Sequence, residues 1–145
     1  MKETEGQKIY EDLSNRIDDI DKKVQIISAN STRLIKEYIV KLESRIKELL
    51  DTEKIDENRL AMETVIYADK SSVEEEITRL NSHIYQFKEL IKQTNVGKKI
   101  DFLIQEMNRE TNTIGSKSGS IEITNLVIEI KTQIEDIREQ IQNIE

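Results

Sequence analysis

The chain has 145 residues, a formal net charge of −7 and no Pro, Cys or Trp. That charge argues against nucleic-acid binding through bulk positive charge, and the lack of Cys excludes a disulfide scaffold or a Cys-based zinc site. Charged residues make up 35%, aromatics 4%, and only four residues are Gly, which favours helices around a thin aliphatic core. The start, Met1-Lys2-Glu3-Thr4-Glu5, lacks the apolar stretch of a signal peptide. No segment approaches the ~20 apolar residues of a membrane span, so a cytoplasmic protein without membrane contact is expected.

In chain order, Ile9, Leu13, Ile17, Ile20, Val24 and Ile27 recur every three or four residues and predict an amphipathic helix over 7–27. Ser28-Ala29-Asn30-Ser31 then interrupts the pattern, and Ile35, Ile39, Leu42, Ile46 and Leu49 resume it out of phase. A turn or kink is expected between the two runs. A polar break at Asp51-Thr52-Glu53-Lys54 precedes a shorter helix over roughly 56–69. Ser71-Ser72, with Glu74 and Glu75 three residues after each, reads as a capping box. The helix it opens carries Val73, Ile77, Leu80, Ile84, Phe87 and Ile91, and Thr94-Asn95-Val96-Gly97 ends it as a C-cap and turn.

A helix from about 98 to 113 follows, with Ile100, Leu103, Ile104 and Met107 on its apolar face. The loop Ile114-Gly115-Ser116-Lys117-Ser118-Gly119-Ser120 is the best candidate for a mobile connection. The last helix has Ile123, Val127, Ile130, Ile134, Ile137, Ile141 and Ile144 in unbroken 4-3 spacing, a seam for pairing within or between chains. The expected fold is all-α, with long antiparallel, coiled-coil-like pairing. Helices 73–91 and 98–113 should pair against 123–144. The run Asp18-Asp19-Asp21 reads as a solvated face.

The stretch 97–117 carries more polar variety than packing requires. Carboxylates, amides, Lys98, Lys99, Arg109 and Lys117 lie beside an already sufficient apolar face, which suggests a site or a buried network. Glu75, Arg79 and His83 share a helical row, with Glu76 between that row and the apolar face. Asp101, Gln105, Asn108 and Asn112 form a row on the next helix beside Arg109, and Glu106 and Glu110 form another. Carboxylates can hold Mg²⁺ or Mn²⁺, His can exchange protons near neutral pH, and Arg or Lys can hold phosphates. The bland reading is an i,i+4 surface ion pair for Glu75 and Arg79, and caps or solvated faces for the rest.

The sequence also resembles the YicC/YloC family of bacterial proteins. Glu3-Thr4-Glu5-Gly6 is similar to the family's Glu-Arg-Glu-Gly. Arg59-Leu60 with Glu63 and Ala68-Asp69, Glu75-Glu76 with Arg79-Leu80 and Ser82-His83, the 97–117 block and the ending Arg138–Glu145 follow in the family's order. Lys70 and Lys98 stand where the family usually has Arg, and Ser72 where it has Asp. The resemblance covers only the C-terminal part of a family protein, without the β-rich N-terminal domain. It divides the chain into a helical arm, 1–55, and a C-terminal helical domain, 56–145.

The resemblance implies a metal-dependent endoribonuclease acting on single-stranded RNA, homo-oligomeric, with other RNA-decay proteins as candidate partners. On this reading His83 and Glu106 are catalytic. Arg79, Lys98, Lys99, Arg109, Asn112 and Lys117 bind RNA, and Glu75, Glu76, Asp101 and Glu110 hold a divalent Mn or Mg cation. Without the N-terminal domain, apolar residues within 7–49 are expected to pack between chains. Two competing readings are a structural oligomerisation module with no activity of its own and an adaptor that binds a partner protein through its heptad helices.

Overall fold

The computed structural model describes residues 2–50, 56–93 and 97–144, and the regular elements among them are all α-helices. They are α1 (Lys2–Leu50), α2 (Glu57–Ser71), α3 (Glu74–Leu90), α4 (Gly97–Lys117) and α5 (Ile121–Ile144). The expected breaks at 51–54 and 94–96 lie outside the described residues. None of the described helices is long and apolar enough to cross a membrane.

Four helices close around one core. α3 packs on α4, α4 on α5, and α1 lies against both α5 and α3. The pairing of α3 and α4 against α5 is therefore as expected, and α1 adds a fourth wall. Leu13, Ile17, Ile20, Val24 and Ile27 are buried within the chain, the last four completely. This part of 7–49 is covered by the chain's own helices, not left bare for a second copy. Each fully buried Ile contributes roughly 1.5–3 kcal/mol relative to exposure, so the register of α1 is strongly favoured.

Polar contacts set the same register. Lys88 of α3 reaches Asp18 at 3.1 Å and Asp21 at 3.5 Å, and Gln25 donates to Asn81 at 3.1 Å. On the α5 side Lys23 reaches Glu129 at 3.6 Å, and Arg33 meets Glu122 at 3.2 Å. Asp19 accepts from both Lys23 and Gln133. The run Asp18-Asp19-Asp21 is thus an interhelical fastening and not simply a solvated face. Rising numbers on α1 meet falling numbers on α3 and α5, so both pairs are antiparallel.

Three local expectations are overturned. First, α1 is one helix of 49 residues, with no turn at Ser28–Ser31. Neither Gly nor Pro occurs there, Ser and Asn cost only tenths of a kcal/mol each in a helix, and Thr32 returns its hydroxyl to the Ser28 carbonyl at 3.4 Å. Second, no capping box forms: Ser71 closes α2, Ser72 is extended, and Val73 stands at the N-cap of α3 without a side-chain cap. Val73 is only 1% exposed, so its burial in the core decides where α3 starts. Glu74, Glu75 and Glu76 in the first turn face the positive end of the helix dipole instead.

Third, α4 runs to Lys117, so the connection to α5 is only Ser118-Gly119-Ser120. Gly115 lies within the helix, at a point where α5 comes close. A Cβ at Gly115 would stand 3.0 Å from Cγ1 of Val127. Beyond the bundle, the second half of α1 contacts α2, where Tyr38 stacks on Tyr67 with centroids 3.6 Å apart. α2 buries none of its residues fully, and its N-cap Asp56 accepts from the backbone of Asn58 and Arg59.

Candidate metal and RNA site between two helices

α3 and α4 are antiparallel, so rising numbers along α3 meet falling numbers along α4. Glu76 meets Lys117 at 2.7 Å, Arg79 meets Glu110 at 3.0 Å, and His83 stands with Glu106 and Glu110. The row of α4 that faces α3 is therefore Glu106, Glu110 and Lys117, while Gln105 and Asn112 of the Asp101 row are exposed. Asp101 itself is half-buried and lies outside the His83 cluster. Thr111 takes the seam position between Met107 and Ile114, fully buried, and satisfies its hydroxyl on the Met107 carbonyl at 2.7 Å.

Three carboxylates surround one guanidinium. Arg79 donates to Glu110 and lies 3.6 Å from both Glu76 and Glu75. Glu75 is on the solvent side, but Glu76 and Glu110 are buried, at 3% and 5% exposure. The hydrogen bond from Arg79 to Glu110 holds the guanidinium firmly charged, above its ordinary value. Burial alone would raise the carboxyl of Glu76. The Lys117 hydrogen bond, its own backbone N–H and the charges of Lys117 and Arg79 together outweigh burial and hold it below the ordinary carboxylate value.

Two buried polar atoms here have no hydrogen-bond partner among the described residues, Oε2 of Glu76 and Nδ1 of His83. Such orphans are rare in folded proteins, and each points to a group that the protein's own atoms do not supply. His83, Glu106 and Glu110 each offer one ligand atom, and these atoms all lie within 4.8 Å of one another. One imidazole and two carboxylates form a donor set suited to a divalent cation.

The remaining candidates fall into two groups. Arg79 and Lys117, expected at RNA, are engaged by Glu110 and Glu76. Lys98, Lys99, Arg109 and Asn112 are exposed on α4, and the three cations form no ion pair among the described residues. Sequence reasoning passed over Tyr85 and Phe102, which stand exposed in a groove between α3 and α4, Phe102 one turn from Glu106 along α4 and Tyr85 two residues from His83 on another side of α3. Their signal was available: both are aromatic residues off the apolar seam.

Residues 27–145 match the family model described as the C-terminal region of YicC-like endoribonucleases. The chain is 57% identical over 147 residues to a probable endoribonuclease YicC of Clostridioides difficile, covering all of this chain and 50% of that protein. It is 33% identical over 146 residues to a probable endoribonuclease YicC of Haemophilus influenzae, again covering all of this chain and 50% of the relative. The chain thus spans about half the length of these curated relatives.

Proposed function

The chain belongs to the YicC-like endoribonuclease family, and from that premise we propose that its α3–α4 groove serves metal-dependent cleavage of single-stranded RNA. The observation that carries this reading is the His83, Glu106 and Glu110 cluster. A His in the donor set favours Mn²⁺ over Mg²⁺, and three protein donors leave room for water and an RNA phosphate. Bound there, the cation supplies positive charge against the negative charge that develops on the phosphate.

The chain's own residues do the rest. Glu106, half-buried at the cluster's edge, would hold the cation beside His83 and Glu110. The nucleophile is either a water or the RNA 2′-hydroxyl. Arg79 positions Glu110, and Lys117 positions Glu76. Exposed Lys98, Lys99, Arg109 and Asn112 hold the RNA backbone. Glu75 and Glu76 serve Arg79 in this reading, and Asp101 stands apart.

Calorimetric titration with Mn²⁺ tests the site without relying on activity. The wild type should bind one ion, and His83→Ala and Glu106→Gln should weaken binding at least ten-fold with the helical spectrum unchanged. Cleavage of a single-stranded RNA should then be compared after joining the chain to the N-terminal half of the Clostridioides difficile relative. Equal rates for wild type, His83→Ala and Glu106→Gln would move the chemistry elsewhere.

A second reading, an oligomerisation module with no activity of its own, is favoured by a different surface. Met62, Val65 and Ile66, spaced three and four residues apart on α2, are 43–64% exposed, an apolar face outside the four-helix bundle. Homo-oligomer contacts would form there, not along the α5 seam, whose described members are buried within the chain. Sedimentation of Val65→Asp distinguishes the two surfaces.

A further inference from the structure

One end of the α3–α4 groove has a chemistry different from the carboxylate cluster. Tyr85 of α3 and Phe102 of α4 line it with Leu90, Lys98, Lys99 and Glu89. The two rings are 67% and 60% exposed, although the chain has only six aromatic residues to spend on its core. Neither ring takes part in an aromatic stack among the described residues. Phe102 has no polar atom that would gain from water, so its exposure is unfavourable in the free protein.

The surroundings of Phe102 are also unusual for this chain. The exposed residues of α4 from Lys98 to Asn112 are Lys98, Lys99, Phe102, Gln105, Arg109 and Asn112. None is a carboxylate, although 29 Asp and Glu residues occur among the 145. The strip is basic and amide-rich at its exposed positions, with Asp101 and Glu106 half-buried between them and Glu89 of α3 at the groove's edge, and its exposed Lys98, Lys99 and Arg109 are complementary to a polyanion. Aromatic faces beside such a strip are the parts of a single-stranded nucleic-acid platform: cations follow the phosphates, and rings stack on unpaired bases.

We propose that Tyr85 and Phe102 are base-stacking residues, seating unpaired nucleobases of single-stranded RNA in the α3–α4 groove that Phe102 lines one turn from Glu106. This rests on the RNA-cleavage reading above and extends it: the rings set which part of the strand reaches the cluster, and double-stranded RNA, whose bases are already stacked, is excluded. Stacking tolerates every base, so the preference is for unpaired structure and not for sequence.

The test uses the whole chain, EDTA to remove any cation, and a fluorescein-labelled oligouridine followed by anisotropy. Tyr85→Ala and Phe102→Ala should each weaken binding about ten-fold, while Ile128→Ala, at an exposed apolar residue of α5 outside the groove, should bind as the wild type does. An abasic strand of the same length should bind wild type and Phe102→Ala equally. The chain has no Trp, so Phe102→Trp places a sole indole in the groove. Its fluorescence should be quenched by oligouridine and not by the abasic strand, and its affinity should match or exceed that of the wild type.

Wild type that fails to bind oligouridine would overturn this proposal together with the RNA reading. Wild type that binds, with Tyr85→Ala and Phe102→Ala unchanged, would overturn the stacking proposal alone and leave the exposed rings to a protein partner. Both residues are exposed, so loss of folding does not confuse the outcome, and thermal unfolding of each variant checks this.

Discussion

Lys117→Met tests whether the buried Glu76 holds the α3–α4 pair together or is merely tolerated there. Lys117 Nζ lies 2.7 Å from Glu76 Oε1. At an effective dielectric of about 20, that separation corresponds to a gross attraction of about 6 kcal/mol. The Lys117 side chain is 34% exposed, so solvent screening removes much of this, and the cost of desolvating Glu76 removes more. Arg79 remains 3.6 Å from Glu76 in the variant and compensates further. The net loss should be ~2 kcal/mol, mostly the cost of leaving a 3%-exposed carboxylate with one fewer partner. For a chain of this size that lowers Tm by roughly 6 °C. Urea unfolding followed by circular dichroism measures it, with Glu76→Met/Lys117→Met as the control. Replacing both partners by apolar groups removes the buried charge, so the double variant should recover most of the loss. An unchanged midpoint for Lys117→Met, or a double variant less stable than the single, would refute this account.

The same pair sets an acid limit. Glu76 is held below its ordinary value near 4.5, so its contribution is complete above that pH and is lost as pH falls through the lower folded-state value. Unfolding midpoints should therefore drop on acidification below about pH 4.5, and less steeply in Glu76→Gln. Gly115→Leu should destabilise by about 1–3 kcal/mol, since even a Cβ there stands 3.0 Å from Val127; adding Val127→Ala should restore part of the loss. Ile17→Ala should cost roughly 2–5 kcal/mol in urea unfolding, because Ile17 is completely buried. Val40→Ala, on the same helix but 67% exposed, should change stability by less than ~0.5 kcal/mol. Equal effects of these two would mean that the first half of α1 is not part of the bundle.

Helical class and the inward seams were legible in the sequence, because both depend on a period of 3.6 residues that neighbours along the chain establish themselves. Ile17, Ile84, Met107 and Ile130 are all buried, as their spacing requires. Element boundaries were less legible, because they are decided by small local preferences that packing outweighs. Ser28–Ser31 looked like a break, yet the core contacts of Ile27 and the continuing helix carry α1 through. Ser72 looked like a cap, yet burial of Val73 sets the start of α3. Gly115 looked like loop, yet it is the close approach of Val127 that accounts for it.

The site divides in the same way. That α3 and α4 carry more polar chemistry than packing needs was visible from residue types alone. Which groups meet was not, since Arg79 shares a row with Glu75, follows Glu76 by three residues, and α4 offers Asp101, Glu106 and Glu110 besides. The antiparallel register of α3 on α4 selects Glu110 for Arg79, Glu76 for Lys117, and Glu106 with Glu110 for His83. Periodicity is a property of each helix by itself, but register belongs to the pair and is set by every side chain buried between them.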